Sequence, residues 1–208
     1  MIKISYLYGV MKSSKTANML MTAHNYLEKG VQPILIKPEV DSRSGNGTIE
    51  SRIGIKEKAD YIVVNDKHGK ERAGYIFETA ISNNEPILLD ECQFFDESFV
   101  KTLCELAHSY NNDSKNISIM AYGLLTDFMG KLFNGSKVWL ENADNIREIK
   151  TVCTFCNHKA VYNALFNGGK LVTDGDSDIV IGDDAYKSLC PYHYLKFKKE
   201  SLRNWYGD

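Results

Sequence analysis

Gly9-Val10-Met11-Lys12-Ser13-Ser14-Lys15-Thr16 is the segment from which most about this chain can be inferred. It follows the apolar run 2–8, which predicts a short buried strand, and it leads into residues of helical composition. A tight loop between a strand and a helix is the context in which backbone N–H groups and a lysine can bind an anion. The pattern G-x-x-x-x-G-K-[ST] is matched at Gly9, Lys15 and Thr16, and these residues predict a phosphate-binding loop.

Ser14 departs from that pattern, because it stands where the second glycine is expected. If this position requires the left-handed backbone conformation that glycine adopts freely, a serine there costs about 1–2 kcal/mol. Taken alone, the stretch is therefore also compatible with an ordinary strand, turn and helix that bind nothing.

The length and the charge balance exclude several classes of protein. The chain has 208 residues, enough for one domain and a small appendage, and its 25 Lys+Arg against 27 Asp+Glu give no basic surface that would favour nucleic acid. The sequence opens directly on a strand, without the pattern of a signal peptide, and no apolar run approaches the ~20 residues of a membrane span. We expect a cytoplasmic protein that binds neither nucleic acid nor a membrane.

Apolar runs alternate with helical patterns through the first two thirds of the chain. The runs that predict further strands are 33–38, 61–64, 86–91 and 117–124. The segments that predict helices are 16–29, 72–82 and 98–110. Residues 39–54 are polar and contain glycines, so they predict a loop. The alternation predicts an α/β fold with a parallel sheet and with functional sites at the carboxyl ends of its strands.

The pattern changes at residue 145, where short apolar runs and turns surround the cysteines. The runs 161–166 and 178–181 predict two strands on either side of a turn at 167–169, and the C-terminal tail has a helical composition. We therefore predict two domains, 1–144 and 145–208.

Two pairs of metal-binding residues lie in the second of these domains. Cys153-x-x-Cys156 and Cys190-x-x-His193 each place two ligands at a spacing from which a turn can present them to one tetrahedral ion. Four protein ligands leave no open position, so the predicted site is a structural zinc site of the zinc-ribbon type. His158 is a competing ligand, and a redox-active C-x-x-C pair is the alternative function.

Asp90 and Glu91 close the strand predicted at 86–91. In phosphate-loop enzymes the first acid at such a strand end helps to hold Mg²⁺, and a second carboxylate beside it can accept a proton from an attacking hydroxyl. Without the phosphate loop, the same pair would be no more than a polar strand end.

Several segments, taken in order, resemble the cellular-type (type II) thymidine kinase family nearly end to end. The phosphate loop is similar to the family's G-P-M-F-S-G-K-[ST]. The segments that resemble K-P-x-x-D-x-R, S-R-x-G, D-E-x-Q-F-F and Y-G-L-R-T-D-F-R-G-x-x-F are 37–43, 51–54, 90–95 and 122–133. The two zinc pairs and the Val-Ile-Gly at 180–182 complete the series.

The resemblance implies a P-loop NTPase-like domain, a zinc-ribbon domain that carries a lasso loop, and transfer of the ATP γ-phosphate to the 5′-hydroxyl of thymidine. It implies that Glu91 is the catalytic base. It also implies a set of residues that bind ATP and Mg²⁺, namely Gly9, Ser13, Ser14, Lys15, Thr16, Asp90 and Gln93.

The resemblance implies a second set of residues that bind the nucleoside. They are Asp41 and Arg43 of a flexible loop, Leu124, Phe128 and Phe133 of a thymine pocket, and Val180, Ile181 and Tyr186 of the lasso. The implied assembly is a homotetramer.

The sequence also departs from the family at positions near the nucleotide sites. Leu125 and Met129 replace arginines, Cys92 replaces a glycine, and the lasso is one residue short. Besides an active thymidine kinase, these changes fit a nucleoside kinase with a shifted base preference, or a catalytically weak nucleotide-binding scaffold. The retention of Lys15, Thr16, Asp90 and Glu91 favours the active kinase.

Overall fold

Strands and helices follow one another as far as residue 142, with four strands between the first and the second helix. The computed structural model describes residues 2–43, 45, 47–110, 117–174 and 185–206. The strands in these ranges are β1 (Lys3–Tyr8), β2 (Ile34–Pro38), β3 (Thr48–Glu50), β4 (Lys56–Lys58), β5 (Tyr61–Val63), β6 (Ile87–Leu89), β7 (Ser118–Gly123), β8 (Asn145–Glu148), β9 (Tyr162–Asn167), β10 (Lys170–Leu171) and β11 (Tyr186–Leu189). The helices are α1 (Lys15–Leu27), α2 (Gly69–Asn83), α3 (Glu97–Ser109), α4 (Asn134–Asn142) and α5 (Pro191–Tyr206), with a 3₁₀ turn at Cys92–Phe94. None of these helices is long and apolar enough to cross a membrane.

The large sheet has six strands in the order β5-β2-β6-β7-β1-β8, and every neighbouring pair is parallel. Strands β2 and β6 are buried at every position, as expected for strands covered on both faces. This architecture confirms the predicted α/β class. Because all six strands run in one direction, the loops that follow β1, β2, β6 and β7 meet at one edge of the sheet.

Alternate positions of the strands face two separate layers of core. Ile4 and Tyr6 of β1 pack in a cluster with residues of α2, α3 and α4, whereas Leu7 packs in a second cluster with residues of α1. The N-terminus of α3 is capped by Asp96, whose carboxylate accepts a hydrogen bond of 2.9 Å from the backbone N–H of Phe99. The predicted helices at 16–29, 72–82 and 98–110 are confirmed as α1, α2 and α3.

Residues 39–54 are not entirely a loop, and the prediction was wrong for 48–50. These residues form β3, which pairs with β4 in an antiparallel hairpin. Ile49 of β3 is 1% exposed and packs against α1, while every residue of β4 is exposed. A strand with one buried apolar side chain has too short an alternation to be recognised in the sequence.

The elements between 134 and 148 were not predicted either. Helix α4 buries Val138 and Trp139 against the large sheet. Strand β8 pairs with β1 and is the outermost strand of that sheet, although it lies on the C-terminal side of the predicted division at 144/145. The division into 1–144 and 145–208 stays a prediction.

The small sheet is antiparallel, with the order β10-β9-β11. Strand β9 corresponds to the strand predicted at 161–166, whereas the strand predicted at 178–181 lies outside the described residues. Helix α5 packs on this sheet through Tyr194, in a cluster that includes Cys153 and Cys190. The sheet and its cysteines therefore share one small core.

Two glycines in helices predict opposite effects of an added methyl group. A Cβ at Gly135 in α4 would lie 2.7 Å from the carbonyl oxygen of Gln93 and 2.8 Å from that of Phe95, whereas a Cβ at Gly74 in α2 would meet nothing within 4 Å. We expect Gly135→Ala to lower the free energy of unfolding by about 1–3 kcal/mol. We expect the control, Gly74→Ala, to raise it by about 0.5–1 kcal/mol. Urea denaturation measures both, and a Gly135→Ala protein as stable as the wild type would contradict the close approach of α4.

Candidate active site

A cleft of about 590 Å³ opens at the carboxyl edge of the large sheet, between this edge and the small sheet. It is lined by residues from the phosphate loop, the 40–54 segment, the 91–94 turn, the 124–133 segment and the small sheet. The predicted site residues that line it are Ser14, Lys15, Thr16, Asp41, Arg43, Glu91, Gln93, Leu124, Phe128, Phe133 and Tyr186. Five separate parts of the sequence thus meet at one cavity.

Ser14 has the left-handed conformation that the glycine of the motif would supply. Its φ is 63° and its ψ is 30°, and its carbonyl accepts the first hydrogen bond of α1, from Asn18 N–H at 2.9 Å. Lys12 is also left-handed, with φ 63°. At Gly9 a Cβ would lie 2.4 Å from the Ile149 carbonyl oxygen and 2.5 Å from Ser13 Oγ, so only glycine fits. The loop has the turn expected of the motif without its second glycine.

Two polar groups of the loop are buried, and one of them, the ammonium of Lys15, lines the cleft. The Lys15 side chain lies largely out of solvent and donates a hydrogen bond of 3.0 Å to the Val10 carbonyl. Burial lowers the pKa of Lys15, although Glu91 and Asp90 oppose the shift. Ser13 Oγ is also buried, and within the described ranges it has no hydrogen-bond partner. A loop with a buried ammonium and an unsatisfied hydroxyl is suited to accept an anion.

Asp90 lies next to Thr16, at the point where β6 ends and α1 begins. The Thr16 hydroxyl is 3.1 Å from Asp90 Oδ1 and 3.2 Å from Oδ2. Burial, followed by the negative charges of Glu91 and Asp41, raises the pKa of Asp90 to about 7. Hydroxyl and carboxylate oxygens are ligands that Mg²⁺ accepts, so the pair fits this ion chemically.

Glu91 is held from two sides. One carboxylate oxygen is paired with the guanidinium of Arg43, and the other accepts a hydrogen bond of 2.7 Å from Gln93 Nε2. Burial opposes ionisation, but the charges of Arg43 and Lys15 and the Gln93 bond outweigh it and lower the pKa of Glu91. Its backbone is left-handed, with φ 45°. Such strain in a residue other than glycine is typical of functional sites.

Arg43 and Asp41 connect the predicted loop to Glu91. Arg43 Nε lies 2.6 Å from Asp41 Oδ1, and Lys37 Nζ lies 3.6 Å from Asp41 Oδ2. Lys37 is 1% exposed and also donates to the Thr48 carbonyl at 2.8 Å. It was not predicted as a site residue, although it opens the segment 37–43 that resembles the family's K-P-x-x-D-x-R.

Another wall of the cleft is apolar, and one residue on it, Leu124, is held through its backbone. The amide of Leu124 donates to Gln93 Oε1 at 2.8 Å, and its carbonyl accepts hydrogen bonds from Tyr6 at 2.8 Å and from Ser136 at 2.6 Å. Gln93, predicted on the nucleotide side, therefore bridges Glu91 and Leu124.

Aromatic side chains complete this wall. Phe128 and Tyr186 pack together with Leu165 of β9, and Phe133 makes an edge-on contact with Phe94, which the sequence analysis did not assign to the site. The residues Val180 and Ile181 of the predicted lasso lie outside the described residues.

The four predicted metal ligands come together on the small sheet. All four ligand atoms lie within 4.8 Å of one another. His193 Nδ1 is 3.3 to 3.5 Å from the three cysteine sulfurs, and the Cys156 and Cys190 sulfurs are 3.7 Å apart. Bond lengths to zinc imply separations of about 3.5–3.8 Å between tetrahedral ligands. The Cys₃His cluster is therefore compatible with zinc, and the competing ligand His158, whose Nδ1 is 3.4 Å from the Cys156 sulfur, is not one of its four members.

Comparisons with known proteins agree with this geometry. The thymidine kinase family profile matches residues 2–194. A thymidine kinase of Lactobacillus acidophilus is 37% identical over 198 residues, which cover 94% of this chain and 97% of that protein. The thymidine kinase of Enterobacteria phage T4 is 38% identical over 201 residues, covering 96% and 99%, and one of Legionella pneumophila is 34% identical, covering 96% and 92%. The chain belongs to the thymidine kinase family.

Proposed function

We infer that this protein is a thymidine kinase that transfers the γ-phosphate of ATP to the 5′-hydroxyl of thymidine. Family membership over nearly the whole chain supports this activity. The observation that carries it is the single cleft, in which Lys15 of the phosphate loop, the carboxylate of Glu91 and the apolar wall at Leu124 face the same cavity. A phosphate donor and an alcohol acceptor could react there without leaving the cleft.

The phosphate loop is the proposed site for the ATP phosphates. Ser14 and the start of α1 would direct backbone N–H groups at the phosphates, Gly9 and Ser13 would give the loop its close turn, and Lys15 would exchange the Val10 carbonyl for a phosphate oxygen. Thr16 and Asp90 would hold Mg²⁺. When bound, this ion neutralises charge on the β- and γ-phosphates.

Glu91 is the proposed base. Its pKa is lowered, so the carboxylate is ionised and can accept a proton. The 5′-hydroxyl would take the place of Arg43 on one carboxylate oxygen, while Gln93 keeps the other in place. As the 5′-oxygen forms its bond to the γ-phosphorus, its proton passes to Glu91 and the bond between the γ-phosphorus and the bridging oxygen breaks, which leaves ADP. Arg43, which also lines the cleft, would then be free to contact the transferred phosphate.

The nucleoside is proposed to lie against the apolar wall. Leu124, Phe128 and Phe133 would contact the thymine ring, with Tyr186 and, by family resemblance, Val180 and Ile181 on its far side. Asp41 and Arg43 would close over the nucleoside and the phosphates. The family resemblance also supports a homotetramer, a cytoplasmic location and the division into a kinase domain, 1–144, and a zinc domain, 145–208.

The proposed reaction can be tested with one variant. Wild-type protein with MgATP should transfer labelled γ-phosphate to thymidine in preference to deoxycytidine. Glu91→Gln should lower kcat by about 10²–10⁴, because the amide cannot accept the proton, and should leave the dissociation constant of ATP nearly unchanged. Glu97→Gln, an exposed change in the first turn of α3, is the control and should be fully active. Full turnover by Glu91→Gln would remove this residue from the mechanism.

Because Ser14 is left-handed, we expect its replacement by glycine to change the stability of the protein and not its affinity for nucleotide. The strained conformation is already present without ATP, so its cost of about 1–2 kcal/mol falls on folding. Since glycine also loses more chain entropy on folding, we expect Ser14→Gly to raise the free energy of unfolding by up to about 1 kcal/mol.

The ATP dissociation constant of Ser14→Gly should stay within about twofold of the wild type. Ser14→Ala, which keeps the strain, is the matched control and should not be stabilised. Chemical denaturation and calorimetric titration measure the two quantities. A gain in ATP affinity without a gain in stability would show that the loop changes conformation on binding.

The zinc site predicts different outcomes for two histidines. His193→Asn should lower the zinc content well below one ion per chain and destabilise the small sheet, because it removes one of four ligands. His158→Asn should keep the ion, since His158 is not one of the four members of the cluster. Metal analysis and melting temperatures of the two purified variants show which histidine binds the ion. Loss of zinc from His158→Asn but not from His193→Asn would mean that His158, and not His193, is the fourth ligand.

A further inference from the structure

The middle of the phosphate loop is fastened to the small sheet by side chains. The backbone N–H of Met11 donates to Asn163 Oδ1 at 2.7 Å, and its carbonyl accepts a hydrogen bond of 2.6 Å from the Ser188 hydroxyl. Asn163 of β9 and Ser188 of β11 are directly paired in the sheet, and they are 3% and 4% exposed. Both polar groups of one loop residue are thus satisfied by two adjacent residues of the small sheet.

These two bonds fix two peptide planes of the loop. In a planar trans peptide the C=O and the following N–H point in opposite directions. When Asn163 holds the Met11 N–H, the Val10 carbonyl points the other way, where it accepts hydrogen bonds from Lys15 Nζ at 3.0 Å and Ser13 N–H at 3.3 Å. When Ser188 holds the Met11 carbonyl, the N–H of Lys12 points away from the small sheet.

The same two residues connect to the metal cluster and to the nucleoside wall. The Ser188 carbonyl accepts hydrogen bonds from Thr154 N–H at 2.8 Å and from the Thr154 hydroxyl at 3.1 Å, and Thr154 lies between the metal ligands Cys153 and Cys156. Asn163 Nδ2 donates to the Thr126 carbonyl at 2.9 Å. The hydrogen-bonded path from the cluster to the loop therefore passes through Thr154, Ser188 and Met11 without a gap.

We propose that Ser188 and Asn163 are positioning residues for ATP, and that the zinc-bearing sheet holds the phosphate loop in its binding conformation through them. This inference rests on the proposed function, since it takes the triphosphate to be the ligand of the loop. Ser188 does not line the cleft, so it acts on ATP through Met11 and not by contact. Lys12 Nζ adds a third connection, to the carbonyl of Tyr186 at 3.2 Å, where β11 begins.

The test removes one hydroxyl. We expect Ser188→Ala to raise the dissociation constant of MgATP, and the KM for ATP, by about three- to tenfold, because the Met11 carbonyl loses its partner and the loop samples other conformations. The dissociation constant of thymidine and the zinc content should stay unchanged. Ser188→Thr, which keeps the hydroxyl, should restore ATP affinity to within about twofold. Asn167→Ala, an exposed change on β9, is the control and should have no effect on ATP affinity.

Calorimetric titration of the full-length, zinc-loaded protein with MgATP alone separates this inference from the proposed function. If ATP binds but thymidine is not phosphorylated, the proposed function fails, and the effect of Ser188→Ala on ATP binding still decides the inference. An unchanged ATP dissociation constant in Ser188→Ala would overturn it. Equal weakening of ATP and thymidine binding, with zinc loss and no recovery in Ser188→Thr, would overturn it as well, because it would mean that Ser188 only supports folding.

Discussion

Buried and partly buried charges of opposite sign compensate one another at the carboxyl edge of the large sheet, and this compensation positions the loops that form the cleft. Three cations and three carboxylates meet there: Lys15, Lys37, Arg43, Asp41, Asp90 and Glu91. Removing one member of such a group leaves an uncompensated charge in a poorly solvated place, which costs several kcal/mol. Because the six residues come from three segments of the chain, their compensation determines how the loops after β1, β2 and β6 are placed.

The same constraint explains why the site is prepared for a charged ligand. Burial lowers the pKa of Lys15 and raises that of Asp90, because it disfavours the charged form of each group. A bound ion of opposite charge would stabilise each charged form. Glu91 stays ionised because Arg43 and Lys15 lie close to it. An incoming triphosphate would compete for these cations, so nucleotide binding must rearrange the ion pairs. Arg43, whose side chain is 38% exposed, can move more easily than the buried Lys15 or Lys37.

The sequence predicted the parts of the site that depend on local spacing. The phosphate loop, the acidic pair after β6 and the C-x-x-C pair are each contained in fewer than ten residues. A chemical role can therefore be predicted for each of them from the sequence alone. The pairs of metal ligands met as expected because each turn presents two donors. The part of the lasso at 180 and 181 stays a prediction.

What the sequence could not show depends on distant partners. Lys37 looks like a residue of an ordinary strand until Asp41 and the Thr48 carbonyl surround it. Ser188 and Met11 are separated by 177 positions, and no periodicity connects them. Strand β8 has three exposed residues and was recognisable only by its pairing with β1. In each case the role of the residue or strand depends on a neighbour that only the folded chain brings next to it.

A metal ion held by the Cys₃His cluster would have a role beyond the stability of a small domain. The core shared by the sheet β10-β9-β11 and α5 contains six buried residues, two of which are the ligands Cys153 and Cys190, and a core of this size gains from a further constraint such as a metal ion. Four ligands on one ion would fix the turn at Cys153–Cys156 relative to the end of β11, and Ser188 lies two residues before Cys190. Ser188 in turn donates to the Met11 carbonyl, so a rigid cluster would also restrain Met11. The backbone of this loop must keep its shape while it binds a highly charged phosphate chain.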